Sequence, residues 1–500
     1  MKAFTEPLLS LAGFEEMTKT AEKSSGLISV TGCIDAQKSQ MIYAFGGHRK
    51  NKLIVTFGEQ KAKELYDEYS FFDKEVVYYP SKDVLFYQSD IRGNLLTAER
   101  IRALKAIREQ ERVTLVTTFD ALMNTMAPIE KMWENVLTLE QGQLLDLKEI
   151  QAALIRMGYE KEYQVQTMGQ FSVRGGILDV FPLTEENPIR IELWGDEIDT
   201  IRYFDCESQK SIENTDRVSI YPAAELVLSD EEKAGGIEKL KAEAKRVSDK
   251  LRKQMKTEEA HRVSVMADEL TEEWGELSMY AGMDAFLSYF FDERVGLLDY
   301  FKPSDSLIFF DELTRCTEQG KLTETEFSES MKQRLAMGYI LPGQMNGLFT
   351  EKEIVAKLEK YSCIALGALD NKANGLHQLG SYGIHCQSVS PYNNSFELLI
   401  KDLKRYKKNG YRVILLSGSR TRAKRLSEDI TDQGITCFYT ENYDHELFEG
   451  QIMVCYGKVR RGFEYPILKF AVITESDIFG AQQKKKKRHR TYEGEKIQSF

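Results

Sequence analysis

Four short apolar runs, at 27–31, 52–57, 75–79 and 113–117, constrain most tightly what this chain can fold into. Each reads as a buried strand. The segments between them, such as 60–69 and 95–109, carry the apolar spacing of helices. Buried strands alternating with helices predict a parallel sheet with helices packed on its faces. At roughly one domain per 150 residues, the 500 residues have room for three or four domains.

The pattern changes near residue 130. Short alternating segments at 163–168, 170–174, 177–181, 189–194, 196–204 and 217–221 follow one another, separated by glycine, proline or acidic turns, and predict a β-rich insert. From 223 to 345 the chain turns helical and charged. A long helix is expected over 237–256, with Leu240, Ala244, Val247 and Leu251 on one stripe. One apolar strand, 306–310, is expected to return to the first sheet. A second α/β pattern follows, with strands at 363–366, 411–416, 436–440, 452–456 and 470–474 and helices at 396–409 and 421–433.

The expected architecture is therefore multi-domain α/β. Residues 1–128 begin a degenerate P-loop, helicase-like sheet domain. Residues 129–222 form its β-rich insert, and 223–345 complete the module. Residues 350–480 form a second, small α/β domain, and 481–500 a basic linker leading into a further module. The last element is unfinished at Phe500, which suggests that the chain is a piece of a longer protein.

Composition narrows the function classes. No apolar run of about 18 residues exists, so no membrane-spanning helix is expected. The opening residues, with Glu6 and Pro7, do not make a secretion signal, which points to the cytoplasm. Seven dispersed cysteines without a CxxC pair argue against a disulfide framework or a zinc site, and no metal is expected. A net charge of −11 argues against a general nucleic-acid coat. The basic run Lys484-Lys485-Lys486-Lys487-Arg488-His489-Arg490 breaks that trend, either as a solvated linker or as a nucleic-acid contact.

Two motifs carry chemistry. Gly32, Lys38 and Ser39 stand at phosphate-loop spacing after a strand, but Gln37 replaces the second glycine. Glutamine puts a side chain where the loop backbone must close on phosphate, and Asp35 adds repulsion. The strand 307–310 ends in Asp311 and Glu312, the pair that in nucleotide hydrolases serves Mg²⁺ and the attacking water; a solvated acidic turn is the plainer alternative. Together they read as degenerate remnants, with no catalytic residue expected.

The second motif is Arg174-Gly175-Gly176-Ile177-Leu178-Asp179-Val180-Phe181-Pro182 followed by Arg190-Ile191-Glu192-Leu193-Trp194. Alternation puts Ile191 and Leu193 on a core face, and Arg190, Glu192 and Trp194 on the other. Arginine and tryptophan are enriched at interface hot spots, so this face suits a protein partner. The competing possibility is that Trp194 caps the insert's own core while the arginines are solvated.

With Ile220-Tyr221-Pro222-Ala223, Tyr78-Tyr79-Pro80-Ser81-Lys82-Asp83 and Thr474-Glu475-Ser476-Asp477-Ile478-Phe479-Gly480, these motifs make the chain resemble, along essentially all its length, the N-terminal part of the bacterial transcription-repair coupling factors. Its insert resembles the one these factors share with UvrB. The resemblance implies recruitment of UvrA by Arg174, Arg190 and the aromatic Trp194, where the family pattern carries phenylalanine. It implies a decayed nucleotide site in the first domain, and an RNA polymerase-binding module beginning at Thr491-Tyr492-Glu493-Gly494-Glu495-Lys496. ATP, Mg²⁺ and duplex DNA would belong to motor domains beyond Phe500, and no cofactor is expected within these residues. The alternative is a UvrB-like DNA-damage-binding ATPase, which would require an intact phosphate loop.

Overall fold

A computed structural model describes residues 1–46, 49–82, 94–276, 282–371 and 373–480. Asp83 of the quoted motif, the basic run and the segment beginning at Thr491 lie outside these residues. The chain divides into two compact units, one of Ala12–Cys33 and Ile42–Ile384, the other of Met1–Leu11, Ile34–Met41 and His385–Phe500.

In the first unit, β1 (Gly26–Thr31), β2 (Asn51–Thr56), β3 (Val77–Tyr79) and β4 (Val113–Thr118) are the four predicted apolar strands. The insert follows as β5 (Leu137–Glu140), β6 (Glu160–Lys161), β7 (Gln170–Arg174), β8 (Ile177–Val180), β9 (Ile189–Trp194), β10 (Glu197–Phe204), β11 (Ser211–Thr215) and β12 (Arg217–Ile220). The chain then returns with β13 (Ser306–Asp311), β14 (Ser362–Leu366) and β15 (Gln378–Gly383). These three join the first four in one sheet, ordered β15-β1-β14-β13-β2-β4-β3, with every pairing parallel. A parallel sheet needs both faces covered, which is why its inner strands are apolar throughout.

Two expectations are corrected. The strand at 363–366 was expected to open the second α/β domain; it pairs instead with β1 and β13 inside the first sheet, so that unit continues to Ile384. Residues 163–168 form no strand. There the carbonyl of Tyr163 accepts a hydrogen bond from Ser172 Oγ at 2.8 Å, and the Tyr163 ring is exposed.

The insert is a six-stranded sheet, β11-β10-β9-β8-β7-β6, beside the pair β12-β5. One face carries Phe171, Leu178, Val180, Ile189, Ile191 and Ile201, packed with Leu154 and Met157 of the helix Leu147–Arg156. The predicted long helix runs Asp230–Lys253 and starts from a capping box between Ser229 and Glu232. Its stripe of Leu240, Ala244 and Leu251 is buried in a cluster with Trp274, Phe286 and Phe290.

The second unit has its own sheet. Its strands are β16 (Gln387–Ser388), β17 (Arg412–Ser417), β18 (Phe438–Tyr439), β19 (Ile452–Tyr456), β20 (Phe463–Tyr465) and β21 (Phe470–Thr474), ordered β16-β20-β21-β17-β19-β18. The helices Phe396–Lys408 and Arg420–Asp432 pack on a core that includes Leu403, Val413, Leu415, Ile430, Val454 and Ile473.

Candidate partner-docking site

The insert's second face is polar because one carboxylate sits in an otherwise apolar strand. Asp179 lies opposite Arg190 in the β8–β9 register and opposite Ser172 in β7–β8. It is almost wholly buried, which requires charged partners. Arg190 supplies a two-pronged pairing, Nε to Oδ1 at 2.7 Å and Nη2 to Oδ2 at 2.8 Å. Arg174 adds Nη2 to Oδ2 at 2.9 Å. Arg190 also donates to Gln209 Oε1 at 2.9 Å and lies over the Phe204 ring at 4.3 Å. The Asp179 hydrogen bonds raise the Arg190 guanidinium above its usual range.

The arginines are not simply solvated: both are clamped to Asp179. The reason is strand register, since antiparallel pairing sets Asp179 directly across from Arg190. Two guanidiniums share one carboxylate, so the cluster keeps a net positive charge. Each guanidinium has five N–H donors, and the bonds just described do not use them all. The side chain of Arg174 is 36% exposed and that of Arg190 13%.

Trp194 behaves as alternation predicted. Ile191 is core, Leu193 is partly buried against the same cluster, and Trp194 on the opposite face is 84% exposed. It caps no core. Gly195 follows at φ 65°, a left-handed conformation that suits glycine in the tight β9–β10 turn. Arg202 pairs with Glu192 on the same face. Sequence reasoning missed Tyr163, which is 83% exposed with the Arg174 guanidinium 6.0 Å from its ring centroid. It also gave Asp179 no role, although a lone carboxylate between core residues was the available signal.

The phosphate-loop remnants are held by other contacts. Gly32 has φ 76°, and a Cβ there would come within 2.1 Å of the Ile384 carbonyl oxygen. The amides of Gly32 and Cys33, of the kind that cradle phosphate in a working loop, donate to the carbonyls of Ala368 and Gly367 at 3.2 and 3.0 Å. Asp311 accepts from Thr56 Oγ1 at 2.9 Å, and Glu312 from the Ala368 amide at 3.1 Å. In the helix Asp35–Ala44, Lys38 is buried and its Nζ lies 3.1 Å from Asp35. Gln37 is also buried, and its amide group and the Ser39 hydroxyl have no hydrogen-bond partner among the described residues.

Among the described residues no helix is long and apolar enough to cross a membrane. Residues 137–226 match the family described as the UvrB interaction domain. The chain is 28% identical over 451 residues to the transcription-repair-coupling factor of Bacillus subtilis strain 168, covering 89% of this chain and 38% of that protein. It is 27% identical over 485 residues to the factor of Staphylococcus haemolyticus, covering 95% and 40%, and 26% identical over 502 residues to that of Staphylococcus aureus strain MRSA252, covering 97% and 41%. The chain thus spans about two fifths of the length of these relatives. It is similar along nearly its whole length to the transcription-repair-coupling factors, and within it residues 137–226 match the UvrB interaction domain.

Proposed function

We propose that this chain is the adaptor part of a transcription-coupled DNA repair factor and that it recruits UvrA through the polar face of the insert. The observation that carries the reading is Trp194, an aromatic ring left 84% exposed on the strand face that also carries Arg190, within the residues that match the UvrB interaction domain. Burying such a ring on a partner removes a large apolar area from water, and the residual positive charge of the arginine cluster favours acidic groups on the partner where it meets that cluster. In this reading RNA polymerase engages the module that starts near Thr491, and ATP, Mg²⁺ and duplex DNA engage a motor elsewhere in the longer protein, all in the cytoplasm. The test is capture of purified UvrA by the wild-type chain against Arg190→Ala and Trp194→Ala. Both substitutions should reduce capture. Equal capture by all three chains would sink the reading.

The same proposal treats the phosphate-loop remnants as fold elements, with no nucleotide role. The Gly32 and Cys33 amides and the Glu312 carboxylate are engaged with the chain just after β14. Equilibrium dialysis with labelled ATP and Mg²⁺ should detect no saturable binding. Saturable binding that disappears in Lys38→Ala would overturn this part.

A further inference from the structure

The second unit carries a strongly cationic surface that the docking reading does not use. β17 and β19 are parallel neighbours, with Ser417 in register with Tyr456, and the Gly457 amide donates to the Ser417 carbonyl at 3.0 Å. The segments that follow both strands therefore leave the sheet side by side. The first, capped by Ser419, opens the helix Arg420–Asp432 with Arg420, Arg422 and Lys424 and no acid in its first turn. The second carries Lys458, Arg460 and Arg461. All six side chains are exposed, in a protein whose net charge is −11.

The carboxylates at this end of the sheet have their own partners, two of them among these cations. Glu441 pairs with Arg420 at 3.3 Å, and Glu475 pairs with Arg422 while accepting from the Ser417 hydroxyl at 3.1 Å. Asp477 is buried, where it accepts from the amides of Gly462 and Thr474 at 2.7 and 2.9 Å. Asp444 is paired with the N-terminal amine. Aromatic rings interleave the cations: Lys424 lies 5.4 Å from the Tyr439 ring centroid and Arg420 5.9 Å from that of Tyr456. The place is also topologically apt. β17 lies between β19 and β21, parallel to both, and the chain leaves β17 for β18 and β19 for β20. The cations thus stand at the carboxyl ends of adjacent parallel strands, the side on which open α/β sheets bind ligands.

We propose that this surface binds the phosphate backbone of duplex DNA. Duplex DNA offers one charge per about 1.7 Å of axis, so it can meet the helical row and the loop row at once. Residues on one helix face three or four apart stand about 5–6 Å apart, and long arginine and lysine stems let each charge settle on the nearest phosphate. An acidic protein presents scattered carboxylates and would match fewer of these cations. The proposal does not depend on the docking of UvrA or on the basic run Lys484–Arg490, which the test treats separately.

The test is fluorescence anisotropy of a labelled mixed-sequence duplex titrated with the whole chain over a series of salt concentrations. One variant combines Lys424→Gln, Lys458→Gln, Arg460→Gln and Arg461→Gln, which spares the arginines that hold Glu441 and Glu475. A second combines Lys484→Gln, Lys485→Gln, Lys486→Gln and Lys487→Gln. With thermal melting unchanged, the first variant should lose at least about tenfold in affinity, and its slope of log K against log salt should become shallower by about 3–4, close to one per phosphate contact for the four cations removed. Unchanged binding in the first variant overturns the proposal, as does complete loss in the second with none in the first. Equal competition by polyglutamate, or tighter binding of a single strand than of the duplex, overturns it too.

Discussion

Truncating Arg100 to alanine should destabilise the first unit by about 3–5 kcal/mol, the range for breaking a buried ion pair from one side. Arg100 is fully buried in the helix Asn94–Glu109. It pairs with Glu225 through Nε at 2.7 Å and Nη2 at 3.0 Å, donates from Nη1 to the Pro80 carbonyl at 2.6 Å, hydrogen-bonds the Tyr79 hydroxyl, and lies 4.0 Å from the Tyr79 ring centroid. Lys82 joins the cluster, 3.1 Å from Glu225 and 2.5 Å from Asp284. One side chain thus ties the end of β3 to the segment that leaves the insert after β12. Urea unfolding followed by the fluorescence of the buried Trp274 measures the loss. Arg100→Met combined with Glu225→Leu should recover most of it, because removing both charges leaves neither stranded. Near-wild-type stability in Arg100→Ala would show that water relaxes the site and that the cluster contributes little.

The same cluster fixes an acid limit. Burial alone would raise the Glu225 carboxyl, but the charges of Arg100 and Lys82 outweigh it and leave the group at about 2, below its ordinary 4.5. A depressed folded-state value means stability that is fully present above about 4.5 and lost as pH falls toward about 2. At about 1.4 kcal/mol per unit, this group alone accounts for roughly 3 kcal/mol across that window. In Arg100→Met the loss should begin at higher pH, since burial then acts on Glu225 with only Lys82 opposing it.

The parts of this fold that were legible in the sequence are those whose own residues carry the signal. β1, β2 and β4 are buried along nearly their full length, and each is an apolar run. β15 escaped because its Gln-Leu-Gly-Ser-Tyr-Gly sequence lies on the outer edge of the sheet, where little is buried. β11 escaped for the same reason: Ile212 and its neighbours are exposed at the free edge of the insert. β14 was recognised as a strand but given to the wrong domain, since partner choice is set by long-range pairing with β1 and β13. In the site, Trp194 followed from period-two alternation alone. The clamp on Asp179 did not, because it depends on which residue of β8 faces Arg190, and one residue of slip would change that partner.

If the chain docks UvrA as proposed, Trp194→Ala should weaken that binding by about 2–4 kcal/mol, the loss typical of an interface hot spot and roughly 30- to 1,000-fold in affinity. Trp194 is 84% exposed, so its removal should leave the stability of the insert nearly unchanged. Loss of affinity would then report docking and not unfolding. Trp194→Phe keeps an aromatic anchor and should retain most of the affinity. Arg190→Ala is a less clean variant, because it also removes two of the three guanidinium bonds that hold the buried Asp179. Asp179→Asn separates the two roles. It keeps the side-chain shape and removes the shared negative charge, so the arginines should attract an acidic partner more strongly. The association rate at low salt should rise several-fold, with the gain fading as salt screens the charges. A slower or unchanged association rate in Asp179→Asn, with normal melting, would mean that the arginines serve the sheet alone and that Trp194 is the anchor without their help. Unchanged affinity in Trp194→Ala by titration calorimetry would remove the polar face of the insert from the docking surface altogether.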